Sequence, residues 1–140
     1  MWLAESSKKT HLKKESIWSL WEDVENWRKW NFVIEYSYLN GIFKNGTYGS
    51  FKTADGPEAV FKTFEIRNCV RNKSFMGRVK LYFCIMDIGH EMQEEDDKLN
   101  IRHYIKLQGP LTFHYTKTLG IKMSYKLDNS VEKLIELAGG

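Results

Sequence analysis

The sequence is poor in cysteine and proline, with two residues of each among 140. Cys69 and Cys84 do not have the spacing of a zinc site, and they could form at most one disulfide. We expect both to be free thiols. A chain of this length can bury a hydrophobic core without such cross-links. We therefore predict one globular domain over residues 1–140, with no metal and no cofactor.

Long apolar runs and a strong charge of one sign are also missing. No run approaches the roughly 20 apolar residues of a membrane span. The N-terminus lacks the basic segment and apolar core of a signal peptide. The net charge of +3 is small for this length and gives no argument for nucleic acid, which usually needs a concentrated basic face. We predict a cytoplasmic protein with no integral membrane segment and no nucleic-acid partner.

Aromatic residues are abundant, at 14% of the chain, and four of the five tryptophans fall within residues 17–30. An indole ring removes a large apolar area from water when it is buried. Four of them in so short a segment need either a wide surface to pack against or a cavity to line.

Residue periodicity predicts a strand, two short helices, about six further strands and one long helix. Asp23 is the predicted cap of the second short helix, which ends near Trp27. Asn45-Gly46 predicts a tight hairpin turn. The predicted ranges are 2–10 for the first strand, 12–21 for the first helix, then 34–39, 60–67 and 74–83 for strands, with one more strand around Gly49 and a turn at 55–57.

Two predicted strands, 84–94 and 98–107, fit together in a single register. If the acidic turn centres on Asp96-Asp97, His90 lies opposite His103 on a face that is otherwise apolar. A slip of one residue would destroy this match. The paired positions are Met92 with Ile101, His90 with His103, Ile88 with Ile105, and Met86 with Leu107.

The last segment, 111–138, has helical periodicity after Pro110. Its predicted inner arc includes Phe113, Leu119 and Met123, and Gly120 could bend the helix. The first half of that arc is otherwise made of small residues. Either the helix packs closely on the sheet there, or it leaves room for a ligand.

Several of these segments together resemble one known superfamily. The carriers are the run Asp23-Val24-Glu25-Asn26-Trp27 with Trp30, then Gly41-Ile42-Phe43 with Gly46-Thr47, and Gly109-Pro110-Leu111 before the last helix. The chain resembles the SRPBCC superfamily, whose START-like domains have the helix-grip fold, and it looks closest to the polyketide cyclase/dehydrase-like members.

The resemblance implies an α+β fold in which a curved antiparallel sheet of about seven strands wraps around a long C-terminal helix, with two short helices after strand 1. It also implies a cavity for a hydrophobic small molecule, such as a lipid, sterol, polyketide or quinone. We predict that inward side chains of the strands and of the last helix line this cavity. They are Trp30, Tyr36, Tyr38, Phe64, Phe75, Val79, Met86, Ile88, His90, His103, Ile105, Thr116, Leu119 and Met123.

Three functions fit this pattern. The first is binding of a hydrophobic ligand, which the lack of a catalytic constellation favours. The second is an enzyme, a cyclase or dehydratase for a polyketide-like substrate, with His103 or His90 as general base and Tyr38 as proton donor. The third is a partner-binding module similar to cochaperones of this fold, which a collapsed cavity would favour. The sequence does not set the oligomeric state.

Overall fold

The computed structural model describes residues 1–54 and 61–140, and within these ranges seven strands form one curled antiparallel sheet in the order β1-β7-β6-β5-β4-β3-β2. The predicted turn at 55–57 and the predicted start of a strand at residue 60 lie outside the described residues. The strands are β1 (Trp2–Thr10), β2 (Ile34–Leu39), β3 (Tyr48–Thr53), β4 (Phe61–Val70), β5 (Ser74–Leu81), β6 (Cys84–Glu95) and β7 (Lys98–Gln108).

Two short helices follow β1, and a long bent helix of 26 residues follows β7, so the predicted α+β architecture is confirmed. The long helix is made of several parts with different hydrogen bonding. The helical elements are α1 (Lys14–Glu22), a 3-10 helix (Val24–Lys29), α2 (Thr112–Tyr115), a π-helical segment (Thr116–Gly120), α3 (Ile121–Ser124) and α4 (Leu127–Leu137).

The predicted hairpin of β6 and β7 is confirmed in its register. His90 pairs with His103, and the two strands join through Asp96 and Asp97. Both aspartates have positive φ angles, 49° and 66°, as a two-residue turn between twisted antiparallel strands requires. The hairpin of β5 and β6 turns at Phe83, whose φ is 52°, so the predicted strand over 74–83 ends earlier, at Leu81.

The structure corrects one local prediction in the N-terminal half and part of another. The Asp23 side chain does not cap the 3-10 helix; its Oδ2 accepts a hydrogen bond from Asn26 Nδ2 at 2.7 Å. Asn45-Gly46 does form the predicted tight turn, since Thr47 donates its N–H to the carbonyl of Lys44 at 3.2 Å and Gly46 has a φ of 89°. It does not join the two strands directly, because β2 and β3 first pair at Leu39 and Gly49. Gly46 instead donates its N–H to the carbonyl of Ile66 at 2.8 Å, which attaches the loop of residues 40–47 to β4.

The long helix departs from the predicted single α-helix over 111–138. Gly120 lies so close to the sheet that a Cβ atom there would be 2.8 Å from the Trp2 ring. This supports close packing as the reason for the small residues on the inner arc of the first half of the helix. Phe113 was predicted to face inward, but it is 72% exposed. The helix turns differently in its first half because five residues there form π-helical hydrogen bonds.

The core lies between the concave face of the sheet and the helices. Trp18, Trp21, Trp27 and Trp30 are all buried in it, so the aromatic-rich segment packs against the sheet as a group. Their rings contact one another and Phe75 at angles that are mostly edge-to-face, an arrangement that aromatic quadrupoles favour. Both cysteines are free thiols, as expected.

On the convex face, the Tyr104 ring covers Gly89 and the Arg102 guanidinium lies 4.5 Å from the centre of that ring. A Cβ atom at Gly89 would be 1.9 Å from Tyr104 Cζ. We predict that Gly89→Ala lowers the free energy of unfolding by about 1–3 kcal/mol, because the ring must leave its place.

Gly77→Ala is the matched control for that measurement, since a Cβ at Gly77 would meet its nearest neighbour, Phe64, at an ordinary 3.6 Å. Urea denaturation of the two variants compares them directly. Equal stability of the two variants would show that the Tyr104 ring is free to move aside.

Candidate functional site

Two histidines occupy the centre of the concave face. The β6–β7 register places His90 and His103 side by side, with ring centres 4.7 Å apart, and they are only 5% and 2% exposed. Buried ionisable side chains are rare in a plain core, because the core offers them little compensation for the loss of water. The buried histidine pair is therefore the candidate functional site.

Aromatic rings surround the pair. Phe75 stacks on His90 with ring centres 4.2 Å apart and planes inclined by 6°. Trp30 contacts both imidazoles, at 5.8 Å from His90 and 5.5 Å from His103. Trp21 contacts both as well, at 5.7 and 6.0 Å. The tryptophan-rich segment thus closes over the histidines that the hairpin presents.

One hydrogen bond joins the pair to the C-terminal helix. His103 Nδ1 lies 3.0 Å from Ser130 Oγ in α4, and the Ser130 hydroxyl donates its proton to the carbonyl of Leu127 at 2.8 Å. Because that hydroxyl proton is already used, the serine oxygen must accept from His103, and Nδ1 carries the ring proton. The other ring nitrogen of His103, Nε2, is then an acceptor.

Four buried polar atoms in this cluster have no hydrogen-bond partner among residues 1–54 and 61–140. They are Trp21 Nε1, Trp30 Nε1, His90 Nδ1 and His103 Nε2. A buried polar group without a partner costs roughly 1–3 kcal/mol. Most buried polar groups in folded proteins are paired, so four in one cluster are unusual.

Burial lowers the pKa of both imidazoles. The pKa of His103 falls from 6.5 to about 3 because the surrounding rings exclude water from its charged form. The pKa of His90 lies well below 6.5, first because of burial and second because of repulsion from a charged His103; a hydrogen bond to the Phe75 backbone acts in the opposite direction. Both side chains are therefore neutral at neutral pH.

A small cavity adjoins the pair on the side of His90. Its volume is about 30 Å³, and it lies between the concave face of the sheet, the 3-10 helix with its following loop, and α3. Met123 is the side chain that the C-terminal helix contributes to its wall. The lining residues are Trp27, Trp30, Asn31, Val33, Ile34, Phe51, Phe64, Phe75, Gly77, Ile88, His90 and Met123.

The structure brings part of the predicted lining together at this cavity. Six of the predicted residues line it, namely Trp30, Phe64, Phe75, Ile88, His90 and Met123. Other predicted residues are buried beside it without lining it, namely Val79, Met86, His103 and Ile105, whereas Thr116 and Leu119 are half-buried on the C-terminal helix.

Tyr36 and Tyr38 are the predictions that the structure corrects. They are 42% and 37% exposed on β2, whereas Ser37 between them is buried and donates its hydroxyl to the carbonyl of Val24 at 2.6 Å. Alternation along a strand therefore puts both tyrosines on the convex face. The hydroxyl of Ser37 fixes which face of β2 turns inward, and aromatic content alone gave the wrong face.

Several lining residues were missed from the sequence. Trp27, Phe51 and Gly77 were not among the predicted lining residues. Phe51 lies two residues after Gly49 and so shares its face, and Gly77 lies two residues after Phe75. Strand alternation from these neighbours would have found both.

Comparison with known proteins agrees with the geometry. No protein-family model matches the chain, and no curated protein matches it in sequence. Solved structures do match. The protein TTHA0849 of Thermus thermophilus is 10% identical with a TM-score of 0.74, over 97% of this chain and 96% of that one. A START superfamily protein of Mycobacterium smegmatis is 10% identical with a TM-score of 0.70, over 96% and 98%.

This is the START-like helix-grip fold. The structure of Ara h 8.0201 matches it as well, at 8% identity and a TM-score of 0.61, over 96% of this chain and 98% of that one. The helix-grip fold places the His90–His103 pair on the inner face of the gripping sheet. Identities this low establish the fold alone, so the chemistry of the site rests on its own residues.

Within residues 1–54 and 61–140, no three His, Cys, Asp or Glu side chains are grouped to hold a metal ion. In the same ranges, no helix has the length and apolar character needed to cross a membrane.

The low pKa of His103 predicts a loss of stability in acid. The unfolded chain takes up a proton near pH 6.5, whereas the folded form resists protonation until about pH 3. Stability is thus fully present above about pH 6.5 and falls as the pH drops toward 3. His103 alone should account for a loss of about 2 kcal/mol between pH 7 and pH 5.

Urea denaturation at pH 7, 6 and 5 measures this effect. We expect His103→Gln to be less stable than the wild type at pH 7 but to lose about 2 kcal/mol less between pH 7 and pH 5. His11→Gln, which changes an exposed histidine, serves as the control. If His103→Gln keeps the full acid sensitivity of the wild type, the folded protein takes up a proton on His103 as readily as the unfolded chain does.

Proposed function

We propose that this protein binds a hydrophobic small molecule, such as a lipid, a polyketide or another aromatic compound, between the concave face of the sheet and the C-terminal helix. The observation that carries the proposal is the cavity beside His90, whose wall is almost entirely aromatic and aliphatic. Apolar pockets with a few polar groups are typical ligand sites. The helix-grip fold, for which the sequence resemblance implies such ligands, supports the same conclusion.

The cavity must open before it can accept a ligand. A volume of about 30 Å³ is room for roughly one water molecule. Met123 is placed to open it, because its helical turn, α3, lies between the π-helical segment and the turn at Tyr125 and Lys126. Non-α hydrogen bonding on both sides means that α3 can shift without disrupting a continuous α-helix.

Catalysis by the histidine pair has less support. A general base works best when its pKa lies near the operating pH, and burial takes both imidazoles far below it. Tyr38, the proposed proton donor, lies on the convex face of β2, with the sheet between it and His103. A cyclase or dehydratase would need another donor at the cavity.

Partner binding is the second candidate function, and the small cavity is the observation that favours it. A helix-grip domain that has filled its cavity with side chains can still present its outer surface to another protein. The two candidates predict different results with apolar ligands. The cytoplasmic location expected from the sequence stays a prediction under either.

We predict saturable binding of a solvatochromic apolar dye, or of an uncharged apolar compound that displaces it, at one site per chain. Met123→Trp should weaken this binding at least tenfold, because the larger ring fills the cavity. Met123→Ala should strengthen it by widening the cavity. Dye emission and calorimetry measure both changes.

The control variant is Ile121→Trp, which adds the same ring on the same helical turn at a position that is 39% exposed. It should bind the dye as the wild type does. An absence of saturable binding to the wild type would contradict the ligand-binding proposal and favour the partner-binding function.

A further inference from the structure

We propose that the ligand of this cavity carries a neutral hydroxyl group, an alcohol or a phenol, and that this group enters between Trp30 and the histidine pair. This inference rests on the proposed function. It follows from the hydrogen-bonding capacity that the cluster leaves unused.

Two of the unpartnered atoms are donors. The Nε1–H groups of Trp21 and Trp30 have no acceptor in the described part of the chain, and these residues are 0% and 1% exposed. An indole N–H can only donate. Trp30 also lines the cavity, whereas Trp21 does not, so the N–H of Trp30 belongs to a residue that a ligand there would contact.

The other two atoms are acceptors. His103 Nε2 is unprotonated because the single ring proton is on Nδ1, which donates a hydrogen bond to the Ser130 oxygen. For His90, the hydrogen bond to the Phe75 backbone favours the protonated ring, so a ring N–H donates to it. Because Nδ1 of His90 has no partner within the described residues, that proton is on Nε2, and Nδ1 is an acceptor.

A group that complements both kinds of atom must accept from an indole and donate to an imidazole. A hydroxyl does both through one oxygen, because its lone pairs accept and its hydrogen donates. A carbonyl oxygen only accepts, and would leave both histidine nitrogens without partners. An alkyl group would leave all four atoms unsatisfied.

The charge of the surroundings excludes an ionised group. Among the described residues, the aromatic rings and the hydroxyl group that contact the imidazoles belong to Trp21, Trp27, Trp30, Phe75 and Ser130, all of which are uncharged. A carboxylate placed there would be buried without a counter-charge, which is far more costly than burying a neutral hydroxyl. The site therefore suits an alcohol or phenol rather than a fatty acid head group.

A single water molecule has two O–H donors and two lone pairs, one donor more than a hydroxyl, and about 30 Å³ is enough to hold one. Bound water alone would satisfy the cluster without giving it any selectivity for ligands. The experiment must therefore measure selectivity between ligands of equal shape.

The matched probes are p-cresol and p-xylene, which differ by a hydroxyl in place of a methyl group, together with p-toluate as the charged analogue. We expect calorimetric titration of the wild type and of Met123→Ala to show p-cresol binding at least fivefold more tightly than p-xylene, with p-toluate weaker than p-cresol. If p-xylene binds as tightly as p-cresol or more tightly, the inference is wrong while the proposed function stands. Binding of none of the three to either protein would count against the proposed function itself.

Trp30→Phe tests the donor. It removes one N–H and keeps an aromatic ring, so the preference for p-cresol should fall to within about twofold of p-xylene. Trp18→Phe is the control, because it makes the same change at a buried tryptophan that contacts Phe43 and Phe75 and whose N–H is not one of the four unpartnered atoms. Equal loss of preference in both variants would contradict a specific role for Trp30.

A spectroscopic measurement on the unmodified protein does not depend on how the variants fold. Addition of p-cresol should move the proton resonance of the Trp30 indole N–H downfield. Addition of p-xylene should not produce this shift. Unchanged indole resonances at saturating p-cresol would show that the hydroxyl does not reach the cluster.

Discussion

The antiparallel pairing of β6 with β7 is the constraint on which the site depends. Its register decides that His90 and His103 share one face and that this face is the concave one. A slip of β7 by one residue would turn its side chains over, so that His103 would leave the face shared with His90 and a charged side chain such as Arg102 would point inward. The tryptophan-rich segment, which packs on these two rings, would then have lost the surface it covers. The positions of the helices therefore follow from the hairpin.

Much of this arrangement could be predicted from the sequence, for identifiable reasons. The hairpin has an acidic turn and four pairs of inward residues that match in one register only, so its geometry followed from alternation. The cavity wall was harder to predict. Tyr36 and Tyr38 are aromatic and alternate correctly, but the side of β2 that turns inward is set by Ser37 and its bond to Val24. That hydrogen bond joins β2 to the 3-10 helix, so it cannot be predicted from the residue pattern of either element alone.

The C-terminal helix shows the same limit in another way. Helical periodicity places residues on an arc only while every turn has the same pitch, and the π-helical segment changes the pitch before Ile121. Phe113 was consequently assigned to the wrong side. The size of the cavity could not be predicted from the sequence either, because it depends on how closely Trp27, Trp30 and Phe75 fill a common space. Composition indicates that such rings are buried, but not how much volume they leave.

Side-chain contacts attach α4, the second half of the C-terminal helix, to the sheet. Ser130 holds α4 to β7, Ser6 donates a hydrogen bond to Asp128, and Lys8 forms an ion pair with Glu132 at 3.3 Å. These bonds all lie beyond Met123 in the chain. These three contacts hold the second half of the helix to β7 and β1. The serine that accepts a hydrogen bond from His103 thus lies in the half of the helix that does not line the cavity, whereas Met123, in the other half, forms part of the cavity wall.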